Sequence, residues 1–486
     1  MAHSLAGLRV AHSFADLPEG FYSQVLPAPP GAPRLLHANP DVARLLGLDE
    51  AVLASPEFLA VCAGQSPLPG GRTIATVYSG HQFGVWAGQL GDGRAHLLGE
   101  IEGPAATWEI QLKGSGRTPY ARMGDGRAVL RSSVREYLAS EAMAGLGIPT
   151  TRALALVVSD DPVYRETVET AAVVTRVAPS FLRFGHFEHW GHAPAQQKVL
   201  LDYAVDRFFP ECRQAGDAQA TAPAFLRAVT RRTAALVAQW QLAGFCHGVM
   251  NTDNMSVLGL TLDYGPYGFM DGFDARHICN HSDTAGRYAW NAQPAVAHWN
   301  LYRLAGSLMV LGCSEESLRA SLEPFEADFL AAYHRGLARK LGLRDWREDD
   351  EALADAWWSL LQAQTTDFTL AFRHLADADE APGAFLALFA EPDAAQVWLD
   401  RYRARLAGQQ WAPAERRADM RRANPLYVLR NHLAQRAIEA AQQGDAAGIE
   451  RLLSLLRDPY TERADAADYA VPPPAGTPGV AVSCSS

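Results

Sequence analysis

The residues with the clearest capacity for chemistry lie in one short stretch, His247–Asn254, followed closely by Asp263. Asn254 and Asp263 offer hard oxygen atoms, which are the ligands that Mg²⁺ prefers where it bridges phosphates. Asp253 is the only carboxylate beside them and is suited to accept a proton. A polar turn would use the same residue types, so the interpretation depends on what surrounds them.

The spacing of these residues is similar to that of a protein kinase, which uses His-Arg-Asp, four further residues, Asn, and later Asp-Phe-Gly. In this frame Asn254 and Asp263 take the two metal-binding positions, and Val249 stands where the catalytic Asp would be. Because valine cannot accept a proton, we infer that Asp253 has taken over as base. The sequence therefore predicts a magnesium-dependent ATP site with a displaced base.

Two upstream segments carry groups suited to phosphate. A glycine-rich segment contains Gly91, Gly93 and Arg94. Its glycines let backbone N–H groups approach phosphate oxygens, and the arginine adds a charged contact. Lys113 ends a predicted strand and Glu136 lies on the next predicted helix, the pairing that positions a lysine over phosphates in kinases. A hairpin turn and solvated charges would explain each feature alone, but their order favours a nucleotide site.

Further basic residues follow the strand-rich part. Arg176 and Arg183 suit bidentate phosphate contacts, although surface salt bridges explain them equally well from the sequence. His186, His189 and His192 match no standard metal-ligand spacing. We therefore predict a solvated helix or loop for the three histidines.

The scaffold that must position these residues is predicted from hydrophobic periodicity. Strands are expected at 96–101, 108–112, 153–159 and 170–177, and helices at 131–146, 225–242, 352–362 and 426–442. The predicted fold class is α+β, a protein-kinase-like two-lobed fold with N-terminal and C-terminal helical extensions. Its predicted parts are an N-terminal extension (1–70), a strand-rich N-lobe (71–177), a helical C-lobe (178–370), a C-terminal helical extension (371–470) and a flexible tail (471–486).

Composition limits the function classes. The chain has 486 residues, more than the ~250–300 at which a single core stops growing. Its formal net charge of -11 argues against a general nucleic-acid binder. No apolar run approaches the ~18 residues that would span a membrane, and the N-terminus lacks a secretory pattern. We therefore expect a cytoplasmic protein with neither membrane nor nucleic acid as partner.

Longer motifs carry a more specific resemblance. Tyr78-Ser-Gly-His-Gln-Phe-Gly84, the segment 111–120, a second Gly-Asp-Gly-Arg at 124–127, and His247–Asn254 with Asp263 together resemble the selenoprotein O family. The resemblance extends over nearly the whole chain, to its Cys-Ser-Ser end. It implies a protein-kinase fold classed with pseudokinases, which transfers AMP rather than phosphate from ATP to protein hydroxyls. The nucleotide would bind in a flipped orientation.

The resemblance also implies roles for the candidate residues. Asp253 would be the base, and Asn254 with Asp263 would bind Mg²⁺ or, alternatively, Mn²⁺. Asp125 and Gly126 would face the flipped nucleotide. The full nucleotide-binding set would be Gly91, Gly93, Arg94, Lys113, Asp125, Gly126, Arg176, Arg183 and Asp263.

Two cysteines suggest redox control. Eukaryotic members of the family carry selenocysteine near the C-terminus, where this chain has Cys484. Cys279 lies a few residues past Asp263, in the segment equivalent to a kinase activation segment. Because a flexible tail reaches a distant thiol at modest entropic cost, we predict a reversible intramolecular Cys279–Cys484 disulfide that restrains activity. Two unpaired thiols are the alternative, since cytoplasmic disulfides are uncommon.

The predicted function is transfer of AMP from ATP to Ser, Thr or Tyr hydroxyls of target proteins. Spacing alone does not say which phosphorus atom is attacked. A small-molecule or protein phosphotransferase of kinase-like fold is therefore one alternative. An inactive ATP-binding scaffold is another, although a scaffold has no need of both Asn254 and Asp263.

Overall fold

The predicted strands at 96–101, 108–112, 153–159 and 170–177 all form, within a large antiparallel sheet. The computed structural model describes residues 1–214, 216–474, 476 and 479–483. Its strands are β1 Val10–Ala11, β2 Tyr22–Gln24, β3 Arg34–Ala38, β4 Ile74–Thr76, β5 Ser79–Gln82, β6 Val85–Gln89, β7 Ala95–Glu102, β8 Thr107–Lys113, β9 Ala128–Val129, β10 Arg152–Tyr164, β11 Val168–Ala178, β12 Phe245–Cys246 and β13 Gly268–Phe269.

Helices make up most of the regular structure outside this sheet, so the class is mixed α/β. They are α1 Pro40–Leu45, α2 Pro56–Cys62, α3 Leu130–Gly145, α4 Phe184–Trp190, α5 Pro194–Phe208, α6 Ala218–Leu242, α7 Gln293–Leu308, α8 Glu315–Leu322, α9 Phe325–Lys340, α10 Asp350–Gln364, α11 Phe368–Leu375, α12 Gly383–Leu386, α13 Pro392–Ala407, α14 Pro413–Ala423, α15 Asn431–Gln442 and α16 Ala447–Leu456. Within the described residues, no helix is both long and apolar enough to cross a bilayer.

The sheet runs in the order β2-β4-β7-β8-β11-β10-β3, with β1 on β7 and β9 on β11. Lys113 lies opposite Val174, and Gln111 lies opposite Arg176, in the β8–β11 pair. Because side chains alternate along a strand, Lys113, Gln111 and Arg176 project from the same face. The register thus places two cations side by side on the sheet.

Helix α3 covers that face of the sheet, close to the predicted span 131–146. Val134, Tyr137 and Leu138 are buried and join the core that includes Val174 of β11. Arg135 donates to the carbonyl of Tyr267 at 2.6 Å. The apolar stripe thus fixes the rotation of α3 and holds Glu136 over the sheet.

The helix predicted at 426–442 is wrong at its start, because α15 begins at Asn431. The backbone N–H groups of Leu426 and Tyr427 both donate to the carbonyl of Pro459. These backbone groups are therefore satisfied by a distant turn of chain rather than by a helix. The helix predicted at 225–242 begins earlier, at Ala218, where the Asp217 side chain caps it by accepting from Ala220 N–H.

Buried Glu109 makes the stability of the fold depend on pH. Its carboxyl accepts from Ser180 Oγ at 2.9 Å and Phe181 N–H at 2.7 Å, and burial raises its pKa from 4.5 to about 8. The folded protein keeps a proton that the unfolded chain releases above pH ~4.5, so stability falls as pH rises towards ~8. We expect Glu109→Gln to remove this loss, which amounts to at most about 1.4 kcal/mol per pH unit.

The measurement is the free energy of unfolding by urea at several pH values between about 5 and 8. Glu102→Gln, at the exposed end of β7, is the matched control and should follow the unsubstituted protein. Parallel pH profiles for the Glu109→Gln variant and the unsubstituted protein would show that Glu109 is ionised in the folded state.

Candidate active site

A cavity of about 780 Å³ opens between the sheet and the helical part of the chain. Its walls come from the β6–β7 loop, β8, the β8–β9 loop, β11 and the loop after β12. The structure brings together on this cavity all the residues predicted for base, metal and nucleotide, namely Gly91, Gly93, Arg94, Lys113, Asp125, Gly126, Arg176, Arg183, Asp253, Asn254 and Asp263.

Lys113 and Glu136 form the ion pair expected from their order in the sequence. The Nζ atom of Lys113 lies 2.5 Å from Oε2 of Glu136, and both side chains are nearly buried. Burial lowers the pKa of Lys113, while Glu136 and Asp263 oppose that effect. Glu136 on α3 therefore fixes the position of the Lys113 ammonium group on β8.

Asp263 is surrounded by three cations. Arg176 Nη1 donates to its Oδ1 at 2.5 Å, Arg183 Nη1 donates to its Oδ2, and Lys113 Nζ lies 3.7 Å away. Burial opposes ionisation of this carboxyl, but Arg183, Arg176 and Lys113 together hold its pKa well below the usual value. The three cations therefore favour the ionised form of Asp263.

The alternative that Arg176 and Arg183 form salt bridges on the surface is wrong, because both side chains are buried. Their exposed fractions are 3% and 1%. Arg176 also contacts Glu136 at 3.2 Å, and Arg183 donates to the backbone carbonyl of Asp253 at 2.9 Å. A buried arginine needs charged or polar partners, and these two have Asp263 in common.

Asp253 lies on the same cavity but is bonded differently. Its Oδ2 accepts a long hydrogen bond from Gln82 Nε2 at 3.4 Å, whereas its buried Oδ1 has no partner within the described part of the chain. Burial raises the pKa of Asp253 to about 6. A carboxylate that lines a polar cavity and has one oxygen without a hydrogen-bond partner is suited to accept a proton.

Asn254 also lines the cavity. It ends a short 3₁₀ turn, Thr252–Asn254, and its Nδ2 donates to the carbonyl of Val249 at 3.0 Å. That bond uses the amide nitrogen and leaves the amide oxygen for another contact. The amide oxygen of Asn254 and the carboxylate of Asp263 are donors of the hard-oxygen kind that Mg²⁺ takes together with phosphate and water oxygens.

The glycine-rich loops approach the cavity because two glycines permit close contacts. Gly91 has φ +144°, and a Cβ there would lie 2.5 Å from the Tyr120 ring. At Gly126, with φ +73°, a Cβ would lie 2.2 Å from the backbone of Arg117. Both positions therefore exclude other residues, and they bring the two Gly-Asp-Gly-Arg segments onto one cavity.

Several residues of the site were not predicted. Gln82 reaches Asp253, Gln111 accepts from Arg176, and Arg165 binds Asp125 at 2.8 Å. The guanidinium of Arg183 lies over the ring of Tyr78, 5.3 Å from the centroid of that ring. Tyr78 and Gln82 fall within the motif 78–84 and Gln111 begins the segment 111–120, so these two motifs were the available signals.

The histidine prediction is wrong for His186. This residue is buried, and its Nδ1 accepts from the backbone N–H of Arg183 at 3.0 Å at the start of α4. His189 Nδ1 lies 2.8 Å from Ser79 Oγ. Among the described residues, no group of three or more His, Cys, Asp and Glu side chains is arranged to hold a metal ion on its own.

The predicted Cys279–Cys484 disulfide stays a prediction, because Cys484 lies outside the described residues. Cys279 is a buried thiol that donates to the carbonyl of Pro266 at 2.9 Å. The next residue, Asn280, forms a parallel bridge with Val482, and His281 N–H donates to the Val482 carbonyl at 3.0 Å. Val482, near the C-terminus, therefore pairs with the segment that contains Cys279.

Comparison with known proteins identifies the family. A family model described as "Protein adenylyltransferase SelO" matches residues 4–457. The protein nucleotidyltransferase YdiU of Bordetella petrii is 62% identical over 496 residues, with 100% of both chains covered. Proteins of the same name from Dechloromonas aromatica (51% over 487 residues; 98% of this chain, 97% of theirs) and Burkholderia multivorans (50% over 503 residues; 98% and 95%) are also similar.

The family model and these relatives place the chain in the class of protein nucleotidyltransferases. The chain belongs to the SelO family of protein adenylyltransferases. This result confirms the resemblance drawn from the motifs at 78–84, 111–120, 124–127 and 247–254.

Proposed function

We propose that this chain is a kinase-like, two-lobed enzyme that transfers AMP from ATP to Ser, Thr or Tyr hydroxyls of target proteins. In this proposal the sheet-rich part over 71–177 forms one lobe and the helical part over 178–370 forms the other, with the cavity between them. The proposal depends on one observation. Three cations paired with the Asp263 carboxylate lie on the same cavity as a second, buried carboxylate, that of Asp253.

The charge balance of the cavity supports a polyphosphate ligand. Among the described residues, two carboxylates, those of Glu136 and Asp263, lie within ion-pair distance of Lys113, Arg176 and Arg183. These cations therefore outnumber their ion-pair partners by one, and the exposed guanidinium of Arg94 lies on the same cavity. Cations in a largely buried setting bind phosphate more strongly than they would in water.

The oxygen donors of Asn254 and Asp263 on the cavity support a divalent cation as part of the substrate complex. Mg²⁺ is usually held by one or two carboxylates and completed by phosphate oxygens and water, and this chain offers that number. When bound, the ion would neutralise charge on the phosphates and on the departing pyrophosphate. Mn²⁺ accepts the same ligands.

The proposed step needs one base and one set of cations. The acceptor hydroxyl loses its proton to Asp253 as its oxygen bonds to the α-phosphorus. The bond from that phosphorus to the bridging oxygen breaks, and pyrophosphate leaves with the electron pair. Arg176, Arg183 and Lys113 stabilise the charge that develops on the phosphate oxygens.

Phosphate transfer is the second candidate, since the kinase-like order of Lys113, Glu136, Asn254 and Asp263 serves that reaction as well. The deciding measurement uses ATP labelled on the α- or the γ-phosphate, with Mg²⁺ and a mixture of protein acceptors. We expect stable protein label from the α-phosphate alone, and release of labelled pyrophosphate when the γ-phosphate carries the label.

Stable protein label from the γ-phosphate, without label from the α-phosphate, would establish a phosphotransferase instead. Omission of the divalent ion is the companion control. We expect it to abolish labelling, and full labelling with a chelator present would remove the cation from the proposal.

A further inference from the structure

The hairpin formed by β5 and β6 lies directly beside Asp253. A Cβ added at Gly80 would fall 2.8 Å from Thr252 Oγ1 and 3.2 Å from Asp253 Oδ1. His81 N–H donates to Thr252 Oγ1 at 2.8 Å, and Phe83 N–H donates to Tyr288 Oη at 2.9 Å. The hairpin is thus fixed to the loop that carries the base, and a molecule bound to its outer side is close to the reacting atoms.

The outer side of this hairpin is apolar and exposed. The exposed fractions are 38% for Phe83, 70% for Val85 and 51% for Trp86. In the described part of the chain β6 pairs with β5 alone, so its outer edge has free backbone groups. An exposed strand edge with aromatic side chains is a template on which an extended peptide can add.

Two arginines give the same surface a positive charge. The guanidinium of Arg287 lies 4.7 Å, and that of Arg303 5.0 Å, from the centroid of the Trp299 ring. Neither arginine has a carboxylate within ion-pair distance among the residues described. His81 joins them to the hairpin, since its ring lies 5.0 Å from Trp86 and 5.4 Å from Trp299. The net charge of the whole chain is -11, so this basic surface is a local feature.

A cavity of about 370 Å³ lies between the hairpin and α7, lined in part by Trp86, Tyr302 and Arg303. The one carboxylate among its described lining residues is Glu188. That carboxylate is nearly buried and bonded to His81 Nδ1 at 2.6 Å. It therefore leaves the exposed guanidinium of Arg303 available to an incoming anion.

We propose that the hairpin surface, defined as Phe83, Val85, Trp86, Arg287 and Arg303, binds an extended segment of the protein acceptor that carries an acidic side chain within about four residues of its hydroxyl. This inference rests on the proposed AMP transfer to protein hydroxyls. Arg303 is connected to the loop of Asp253 by contacts through Trp299 and His81. Because an extended chain advances ~3.3 Å per residue, a segment of a few residues would join a hydroxyl at Asp253 to a carboxylate at Arg303. Arginine stacked on an aromatic ring is well suited to bind a carboxylate in a fixed orientation.

The experiment uses short synthetic peptides with one Thr and one Glu, with the Glu placed one to four residues before or after the Thr. Matched peptides carry Gln or Lys in place of Glu. The full-length enzyme is assayed for kcat/KM with α-labelled ATP, and fluorescence anisotropy measures peptide binding independently of turnover. For at least one spacing we expect the Glu peptide to exceed the Gln peptide by about tenfold in both measurements, the factor that 1.4 kcal/mol represents.

Charge reversal is the decisive variant. Arg303 is exposed, so Arg303→Glu should fold, and we expect it to prefer the Lys peptide over the Glu peptide. Trp86→Ala should raise KM for every peptide without changing the order of preference. Arg335→Glu, an exposed arginine on α9, is the matched control and should keep the preference for Glu.

The outcomes separate this inference from the function on which it rests. Equal binding and turnover of Glu, Gln and Lys peptides, with AMP still transferred to proteins, would overturn the docking surface and leave the enzyme activity intact. Absence of AMP transfer to any protein would overturn the proposed function itself. A dimer that Arg303→Glu dissociates, with no change in peptide preference, would assign the surface to a second copy of the chain and also overturn the proposal.

Discussion

Asp253→Asn is expected to bind ATP at least as tightly as the unsubstituted enzyme and to lose AMP transfer by about 10²–10⁴-fold, the usual contribution of a general base. Asparagine keeps the shape of the side chain and the contact with Gln82, but it cannot take a proton. The negative charge that it removes lies beside the phosphate-binding cations, so the substitution does not weaken phosphate binding. The loss should therefore fall on kcat.

Stability distinguishes this result from damage to the fold. Burial raises the pKa of Asp253 to about 6, so the folded protein is destabilised by the ionised carboxylate at higher pH. Asp253→Asn should therefore unfold at the same temperature as the unsubstituted enzyme, or at a higher one. Asp271→Asn, which removes a carboxylate from the ion pair with Arg430, is the control and should keep full activity. Transfer by Asp253→Asn within about threefold of normal would show that another group is the base.

Asp263→Asn is expected to lose the metal-dependent part of ATP affinity. In the unsubstituted enzyme we expect Mg²⁺ to tighten ATP binding about tenfold or more, because Asp263 would hold the ion and the ion would neutralise phosphate charge. In the variant the ratio of the ATP Kd without and with Mg²⁺ should fall to about 1. Metal-free ATP should bind the variant no more weakly, since Arg176, Arg183 and Lys113 lose their competing anion. Isothermal titration with and without Mg²⁺ measures both values.

The same substitution should destabilise the free protein. Removal of one partner from a buried ion pair costs about 3–5 kcal/mol because the other charges stay unpaired, and Arg176 and Arg183 are both buried. Asparagine tolerates the left-handed backbone at this position, φ +54°, so lost charge is the main cause. Pyrophosphate should restore much of the melting temperature by supplying anions to the cations. An unchanged Mg²⁺ dependence of ATP binding would show that Asp263 is not a metal ligand.

Local patterns in the sequence were sufficient for the elements that hold the site. The runs at 96–101 and 108–112 are short and are bounded by Gly, Asp and Pro, and they form β7 and β8. The apolar spacing in 131–146 predicts α3 to within one residue at each end. Asp253, Asn254 and Asp263 were found because a kinase-like spacing fixes them relative to one another. These features depend on residues that are close in the chain.

The remaining features depend on contacts between distant residues. Arg176 and Arg183 bind Asp263 from 87 and 80 residues away, so nothing near them in the chain reveals that they are buried. Gln82 meets Asp253 across 171 residues. The predicted helix at 426–430 fails for the same reason, because a carbonyl at Pro459 holds that segment. Periodicity reports which face is buried but not which distant group covers it.

The packing of α3 against α15 and α16 has a consequence for control of the enzyme. Arg135, next to Glu136, donates to Asn431 Oδ1 of α15 at 3.1 Å. Further along α3, a Cβ on Gly145 would collide with the carbonyl of Leu456 at the end of α16. Protein kinases are commonly switched by displacing the helix that carries the corresponding glutamate, and such a swing here would first require α15 and α16 to detach. The packing of α3 against α15 and α16 therefore opposes displacement of the Lys113–Glu136 pair, and we expect regulation of this enzyme to act through its loops or its substrates rather than through a hinged helix.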